Sequence, residues 1–240
     1  MKKLLILILM LASTQLFAQP WKTIKGDGNV KKETRTVADF TSLSSRGPMD
    51  VKIVYGNSNN IQVEADENLL PYIETNVENG KLIIQPKKNM NLRSRSKMVV
   101  YVSMTKINML QLSGSGNIDG NGSFTTDDKT EIMLSGSGNI HLNSDSFKDL
   151  HFAISGSGNI VAKGGPANTV SVAVSGSGNV DCSDVAANDV EVKISGSGNA
   201  RVHANKSLTA NISGSGNVFY KGNATNISTK VAGSGKAIKI

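Results

Sequence analysis

Five residues, Ser-Gly-Ser-Gly-Asn, begin at Ser113, Ser135, Ser155, Ser175, Ser195 and Ser213, and a worn copy, Ala-Gly-Ser-Gly-Lys, begins at Ala232. Successive starts lie 22, 20, 20, 20, 18 and 19 residues apart. A flexible linker has no reason to hold such a count, whereas a coil that stacks one turn on the next does. The segments between the motifs, such as EIML, HFAI, SVAV and EVKI, alternate apolar with other residues and are rich in β-branched side chains, as short strands are. The spacing therefore predicts an all-β, parallel β-solenoid with about 20 residues per rung. An antiparallel sandwich is the competing architecture, but it does not require one motif in the same phase of every repeat.

Parity through one motif sharpens this reading. Ile132, Leu134, Gly136, Gly138, Ile140 and Leu142 fall on one parity, and Ser135, Ser137 and Asn139 on the other. The glycines (Gly136, Gly156, Gly176, Gly196) are expected either inside a coil too tight for a side chain or at a corner where the strand bends. With rungs about 4.8 Å apart, Asn117, Asn139, Asn159, Asn179, Asn199 and Asn217 would stand over one another and bond up the stack, with Asn suited to a left-handed corner. This makes the repeat scaffold rather than chemistry.

Residues 19–106 lack the repeat. MDVKIVYGNSNNIQVEAD reads as two strands and a polar turn, ENLLPYIET as a short helical or irregular crossover, and VENGKLIIQP as a turn into a further strand. GDGNV at Gly26–Val30 looks like an outlying copy of the motif. The expected organisation is a signal peptide over 1–18, an irregular cap over 19–106 and the repeat solenoid over 107–240, with 19–240 forming one domain.

The signal peptide rests on Lys2 and Lys3, the apolar run LLILILMLA and a cleavage point after Ala18. That run is too short to span a bilayer, so no transmembrane segment is expected in the mature chain. Cys182 is the only cysteine, which excludes an internal disulfide and a lipid-bearing cysteine after the leader. The chain is expected to be exported, to the periplasm or cell surface. Its formal net charge of +7, outside the cytoplasm, favours anionic glycans or membrane surfaces over nucleic acid.

Catalytic and cofactor signatures are weak. Each glycine motif runs back into a strand rather than a helix N-terminus, so phosphate cradling is not expected. G-x-S-x-G is absent, and His141, His151 and His203 fall at different phases of their rungs, so no serine has a matching base. The motif holds no aspartate for calcium. No catalytic residue, metal or cofactor is assigned. The one concentrated charge is PKKNMNLRSRSK, Pro86–Lys97, where Lys87, Lys88, Arg93, Arg95 and Lys97 occur without a carboxylate. It is either a solvated loop or a clamp for sulfate, phosphate or uronate groups.

Together the exported start, GDGNV, the segment FTSLSSRGPMDVKIVYGNSNNIQVEADENLLPYIETNVENGKLII and the SGSGNI rungs resemble the putative auto-transporter adhesin, head GIN domain family. The FAQ ending of the leader resembles those of Bacteroidetes-type bacteria. The family resemblance implies a right-handed parallel β-helix and an adhesin-like role at the cell surface, with no catalytic residues to carry over. The expected function is a non-catalytic envelope or surface interaction module whose partner is an anionic surface glycan or an envelope protein. A polysaccharide lyase or hydrolase, and a structural envelope protein without a glycan ligand, are the alternatives.

Overall fold

A computed structural model describes residues 21–240. The expected signal peptide, 1–18, lies outside the described residues. The first strands are β1 (Lys22–Lys25), β2 (Val30–Thr36), β3 (Ser42–Gly47), β4 (Asp50–Tyr55) and β5 (Asn60–Asp66). A 3-10 turn, Glu67–Tyr72, leads to β6 (Ile73–Glu78), β7 (Lys81–Pro86), β8 (Met90–Arg93) and β9 (Val99–Met104). The repeats then supply β10 (Met109–Gly114), β11 (Asn117–Asn121), β12 (Lys129–Gly136), β13 (Asn139–Ser144), β14 (Asp149–Gly156) and β15 (Asn159–Gly164). The chain continues through β16 (Ala167–Gly176), β17 (Asn179–Gly196), β18 (Asn199–Gly214), β19 (Asn217–Lys221), β20 (Asn226–Gly233) and β21 (Lys236–Lys239).

These strands form a β-solenoid of about 7 turns with rungs of about 20 residues. One column of parallel strands runs β7, β3, β10, β12, β14, β16, the second half of β17, then β18 and β20. The other runs β9, β4, β11, β13, β15, the first half of β17, then β18, β19 and β21. Register is strict across the motif, so that Ser135 pairs with Ser155, Gly136 with Gly156 and Asn139 with Asn159.

Parallel stacking in register places like over like, and the interior is columns of apolar side chains. Ile132, Phe152, Val172 and Val192 form one, Leu134, Ile154, Val174 and Ile194 another, and Ile140, Ile160, Val180 and Ala200 face them, all at most 3% exposed. Each such Val, Leu, Ile or Phe side chain contributes about 1.5–3 kcal/mol on burial.

The corner between the two columns is the glycine motif. Gly136 O accepts two hydrogen bonds from the next rung, from Ser157 N at 3.0 Å and Gly158 N at 3.1 Å. Gly156, with φ of +137°, lies so close over that carbonyl that a Cβ would sit 2.4 Å from it. At Gly158 a Cβ would sit 2.1 Å from Gly138 O. The first glycine of the motif bends the chain, and the second is buried against the backbone of the rung beneath.

The N-terminal region enters the same stack. Gly114 pairs with Gly47 in β3, and β11 continues on β4. RGPMD, Arg46–Asp50, thus occupies the corner that SGSGN, 113–117, occupies above it. Beyond that rung the pairing also becomes antiparallel, with β2 on β5, β5 on β9 and β6 on β7. GDGNV, in contrast to the sequence expectation, is not a rung. Gly26 N donates to Arg93 O at 2.8 Å and Asp27 Oδ1 takes Asn29 N at 2.9 Å, which makes it the loop that turns β1 into β2.

The corner geometry yields the first prediction. Gly156→Ala should cost at least about 2 kcal/mol, since it adds a left-handed strain to a backbone clash. Ser155→Ala, one residue away on the solvent side, should stay within about 0.5 kcal/mol. Thermal melts followed by circular dichroism check both, and equal losses would assign the stability to something other than the glycine contact.

Candidate functional site

The motif asparagines form an unbroken column along the stack. Nδ2 of Asn139 donates to Oδ1 of Asn117, Asn159 to Asn139, Asn179 to Asn159 and Asn199 to Asn179, each at 2.9 Å. Asn217 continues it at 3.3 Å, and Lys236 N donates to Asn217 Oδ1 at 3.1 Å. The asparagines do not adopt the left-handed conformation expected for them, since the positive φ falls on the first glycine of each motif. Every amide points the same way, so the chain of bonds has an acceptor end. There Asp50 Oδ1 receives both the backbone N and the Nδ2 of Asn117, each at 2.9 Å. A carboxylate ends such a chain well because it accepts without needing to donate. Asp50 was not singled out in the sequence. Its signal is faint, an acid at the fifth position of Arg-Gly-Pro-Met-Asp.

The basic stretch lies at this same end of the stack. β8 pairs with β1 in a separate two-stranded sheet, and Lys87, Lys88, Arg93, Arg95 and Lys97 are all exposed. Arg93 and Lys97 line one cleft of about 500 Å³ with Pro48, Asp50, Leu92, Ser94, Ser96 and Met98. Lys87 and Lys88 precede β8 and are not in its wall, nor is Arg95. Lys87 Nζ instead stands 5.9 Å from the Tyr72 ring centroid.

Asp66, fully buried, fixes the path of this loop. Its carboxylate accepts from Ser94 Oγ at 2.7 Å, Arg95 N at 2.9 Å and Ser96 Oγ at 3.0 Å. Burial alone raises its pKa, but these donors and the Gly28 N–H outweigh burial and hold the carboxyl below its ordinary 3.8.

The serines of the motif border a groove of about 710 Å³ that crosses the rungs. Its wall includes Met133, Ala153, Ala173, Lys193 and Lys230, and it is mainly apolar. Cys182 is buried, which with the charge of Asp181 pushes its thiol up to about 12, far from a reactive thiolate. His141 Nδ1 lies 2.9 Å from Asp119 Oδ1 on the exposed surface. Among the described residues no three His, Cys, Asp or Glu side chains are gathered to hold a metal ion. No helix among them is long and apolar enough to cross a membrane.

The family described as "Putative auto-transporter adhesin, head GIN domain" matches residues 39–224. The crystal structure of a putative lipid binding protein from Parabacteroides distasonis ATCC 8503 is similar with a TM-score of 0.74 at 29% identity, over 91% of this chain and 100% of that one. A putative adhesin from Bacteroides fragilis NCTC 9343 gives 0.83 at 23% identity, over 90% of this chain and 100% of that one, and shows the fold. A putative adhesin from Parabacteroides merdae ATCC 43184 gives 0.66 at 26% identity, over 91% and 99%. No curated protein matches the chain.

Two predictions follow from the column and from Asp66. Asn159→Ala removes the bond to Asn139 and leaves Asn179 Nδ2 without its acceptor, a loss of about 2 kcal/mol visible as a lowered Tm. An unchanged Tm would mean that the column adds no stability. For Asp66 the folded pKa is depressed, so its stabilisation is complete above the ordinary carboxylate value of 3.8 and disappears as pH falls through the lower folded value. The gap in Tm between wild type and Asp66→Asn should be widest near neutral pH and close only in stronger acid. A pH-independent gap would mean that the ionised carboxylate is not what holds the loop.

Proposed function

The chain belongs to the putative auto-transporter adhesin, head GIN domain family, and from that premise we propose that it is an exported, non-catalytic, adhesin-like module of the cell envelope. In this reading residues 1–18 direct export and are removed, and residues 19–106 cap the solenoid of 107–240. The coil holds exposed side chains at fixed spacing, which suits binding an extended partner rather than closing around a small one. The relatives that are adhesins by description support an interaction role, and the leader and the family together support the exported location.

The partner at the Asp50 end is proposed to be an anionic surface glycan. The observation that carries this is the convergence of Arg93 and Lys97 on one cleft, in a loop pinned by the buried Asp66. A guanidinium and an ammonium on a fixed loop can meet sulfate or uronate oxygens with little ordering cost, because the backbone is held before the ligand arrives. Lys87, Lys88 and Arg95 add to the local potential without lining the cleft.

The test uses a glycan array probed with the chain from Gln19 onward. Wild type should retain sulfated or uronate-rich chains in a salt-sensitive manner, and Arg93→Glu with Lys97→Glu should weaken that at least about ten-fold with an unchanged circular dichroism spectrum. Binding that survives the reversal and high salt would move the contact away from the cleft. Release of reducing ends or unsaturated uronates from the same glycans would replace this reading with a polysaccharide-active enzyme.

A further inference from the structure

The opposite end of the solenoid differs in both charge and cover. All seven Lys and Arg residues of 192–240 occur without a single Asp or Glu, whereas the rest of the chain carries 19 of each sign. The whole net charge of +7 is therefore contributed by the last rungs. Here the stack also stops being covered. β20 pairs with β18 and β21 with β19, and among the described residues neither has a second neighbour. Ile227 and Val231 stand in register with the core residues Leu208 and Ile212, yet they are 41% and 44% exposed. Ile238 and Ile240 are 36% and 61% exposed on the same rung. Lys230, Lys236 and Lys239, all exposed, are interspersed with them.

We propose that this open end docks on a bilayer rich in anionic lipid. Apolar side chains flanked by lysines are what an interfacial surface needs. The isoleucines and valine enter the boundary between headgroups and acyl chains, while the ammonium groups pair with lipid phosphates just outside it. The unpaired strand edge limits the depth. Its N–H and C=O groups cannot be left unsatisfied in hydrocarbon, so they stay at the headgroup level, where phosphate and water bond them. Charge decides against a second copy as the occupant, since joining two such ends would bring Lys230, Lys236 and Lys239 of each against the other with no Asp or Glu side chain from this region to offset them. The apolar groove reaches the same rung at Lys230, Val231 and Ala232, which extends the apolar surface away from the end.

This inference rests on the proposed export to the envelope, and its test is independent of the glycan cleft. The chain from Gln19 onward, which retains every described strand, is floated with vesicles of phosphatidylcholine alone or of equal parts phosphatidylcholine and phosphatidylglycerol. It should partition to the anionic vesicles and not to the neutral ones. Lys230→Glu, Lys236→Glu and Lys239→Glu together should weaken this at least about a hundred-fold, at about five-fold for each positive charge lost and more from the repulsion of the new carboxylates, with unchanged glycan capture and melting curve. Ile238→Ser with Ile240→Ser should remove the part of the binding that survives high salt. Equal partition to both vesicles, partition to neither, or a triple variant that binds as well as wild type would overturn the proposal. So would light scattering that shows a dimer abolished by the triple substitution, because a second copy would then be the occupant. Glycan capture that fails while vesicle binding holds would overturn the cleft reading and leave this one standing.

Discussion

Each glycine-motif corner of the coil depends on a backbone carbonyl that receives two N–H groups from the rung above, at a separation that leaves no room for a Cβ. Gly136 O with Ser157 N and Gly158 N is one instance, and Gly156 O with Ser177 N and Gly178 N, at 2.9 and 3.0 Å, repeats it. Because both glycines of the motif lie over backbone, neighbouring rungs cannot slide by a residue without driving a side chain into a carbonyl. Register is thereby set at one point per turn. The alternation of strand residues then carries it around the rest of the coil. The asparagine column follows from the corner rather than causing it: once the motifs coincide, the fifth residue of each stands over the fifth of the next, and an amide is the side chain that can both accept from above and donate below.

The period of the motif and its parity made the solenoid, the interior columns and the amide column legible, because these depend on identity between rungs. What depended on geometry without identity was not legible. Arg46–Asp50 shares only one glycine with the motif, yet it forms a full corner. Gly47 supplies the bend with φ of +101°, Asp50 replaces the amide, and Met49 fills a place that is glycine above. GDGNV erred in the opposite direction, resembling the motif in letters while its hydrogen bonds run to β8 and to Asn68 in the 3-10 turn. Asparagine's tolerance of left-handed backbone was a sound general reason applied to the wrong residue, since the glycine three places earlier already takes that conformation. The basic stretch was visible as composition, but only the fold divides it, placing Arg93 and Lys97 in a cleft and leaving Lys87, Lys88 and Arg95 outside its wall.

A solenoid whose rungs grip one another so uniformly has a difficulty that a closed globule does not have, namely two ends. At the first end the chain meets it with antiparallel pairing. β2 covers β5, β6 covers β7, and Arg35 reaches across with its guanidinium to the carbonyls of Leu70 at 2.8 Å and Ile73 at 2.6 Å. A strand of opposite sense cannot be extended by a further parallel rung in the same register, so propagation stops there. The buried Asp66 belongs to this closure, because the donors that satisfy it come from the loop after β8 and tie the small two-stranded sheet to the stack.

At the second end no such closure exists among the described residues, and the chain changes its charge instead. Lysines on an edge strand discourage addition of another copy, but that purpose alone would be served by polar neighbours. Here Ile227, Val231, Ile238 and Ile240 stand among the lysines, exposed at 36–61%, and a purely protective edge has no reason to keep them. Apolar and cationic residues on one surface satisfy a partner that is apolar within and anionic at its boundary, and a bilayer meets both requirements together. About seven rung spacings separate this end from Asp50, so at about 4.8 Å per step the glycan cleft would stand roughly 34 Å from the lipid surface. That separation is several times the screening length of about 8 Å at physiological ionic strength, and the two basic sites can therefore engage different anions without one lowering the affinity of the other.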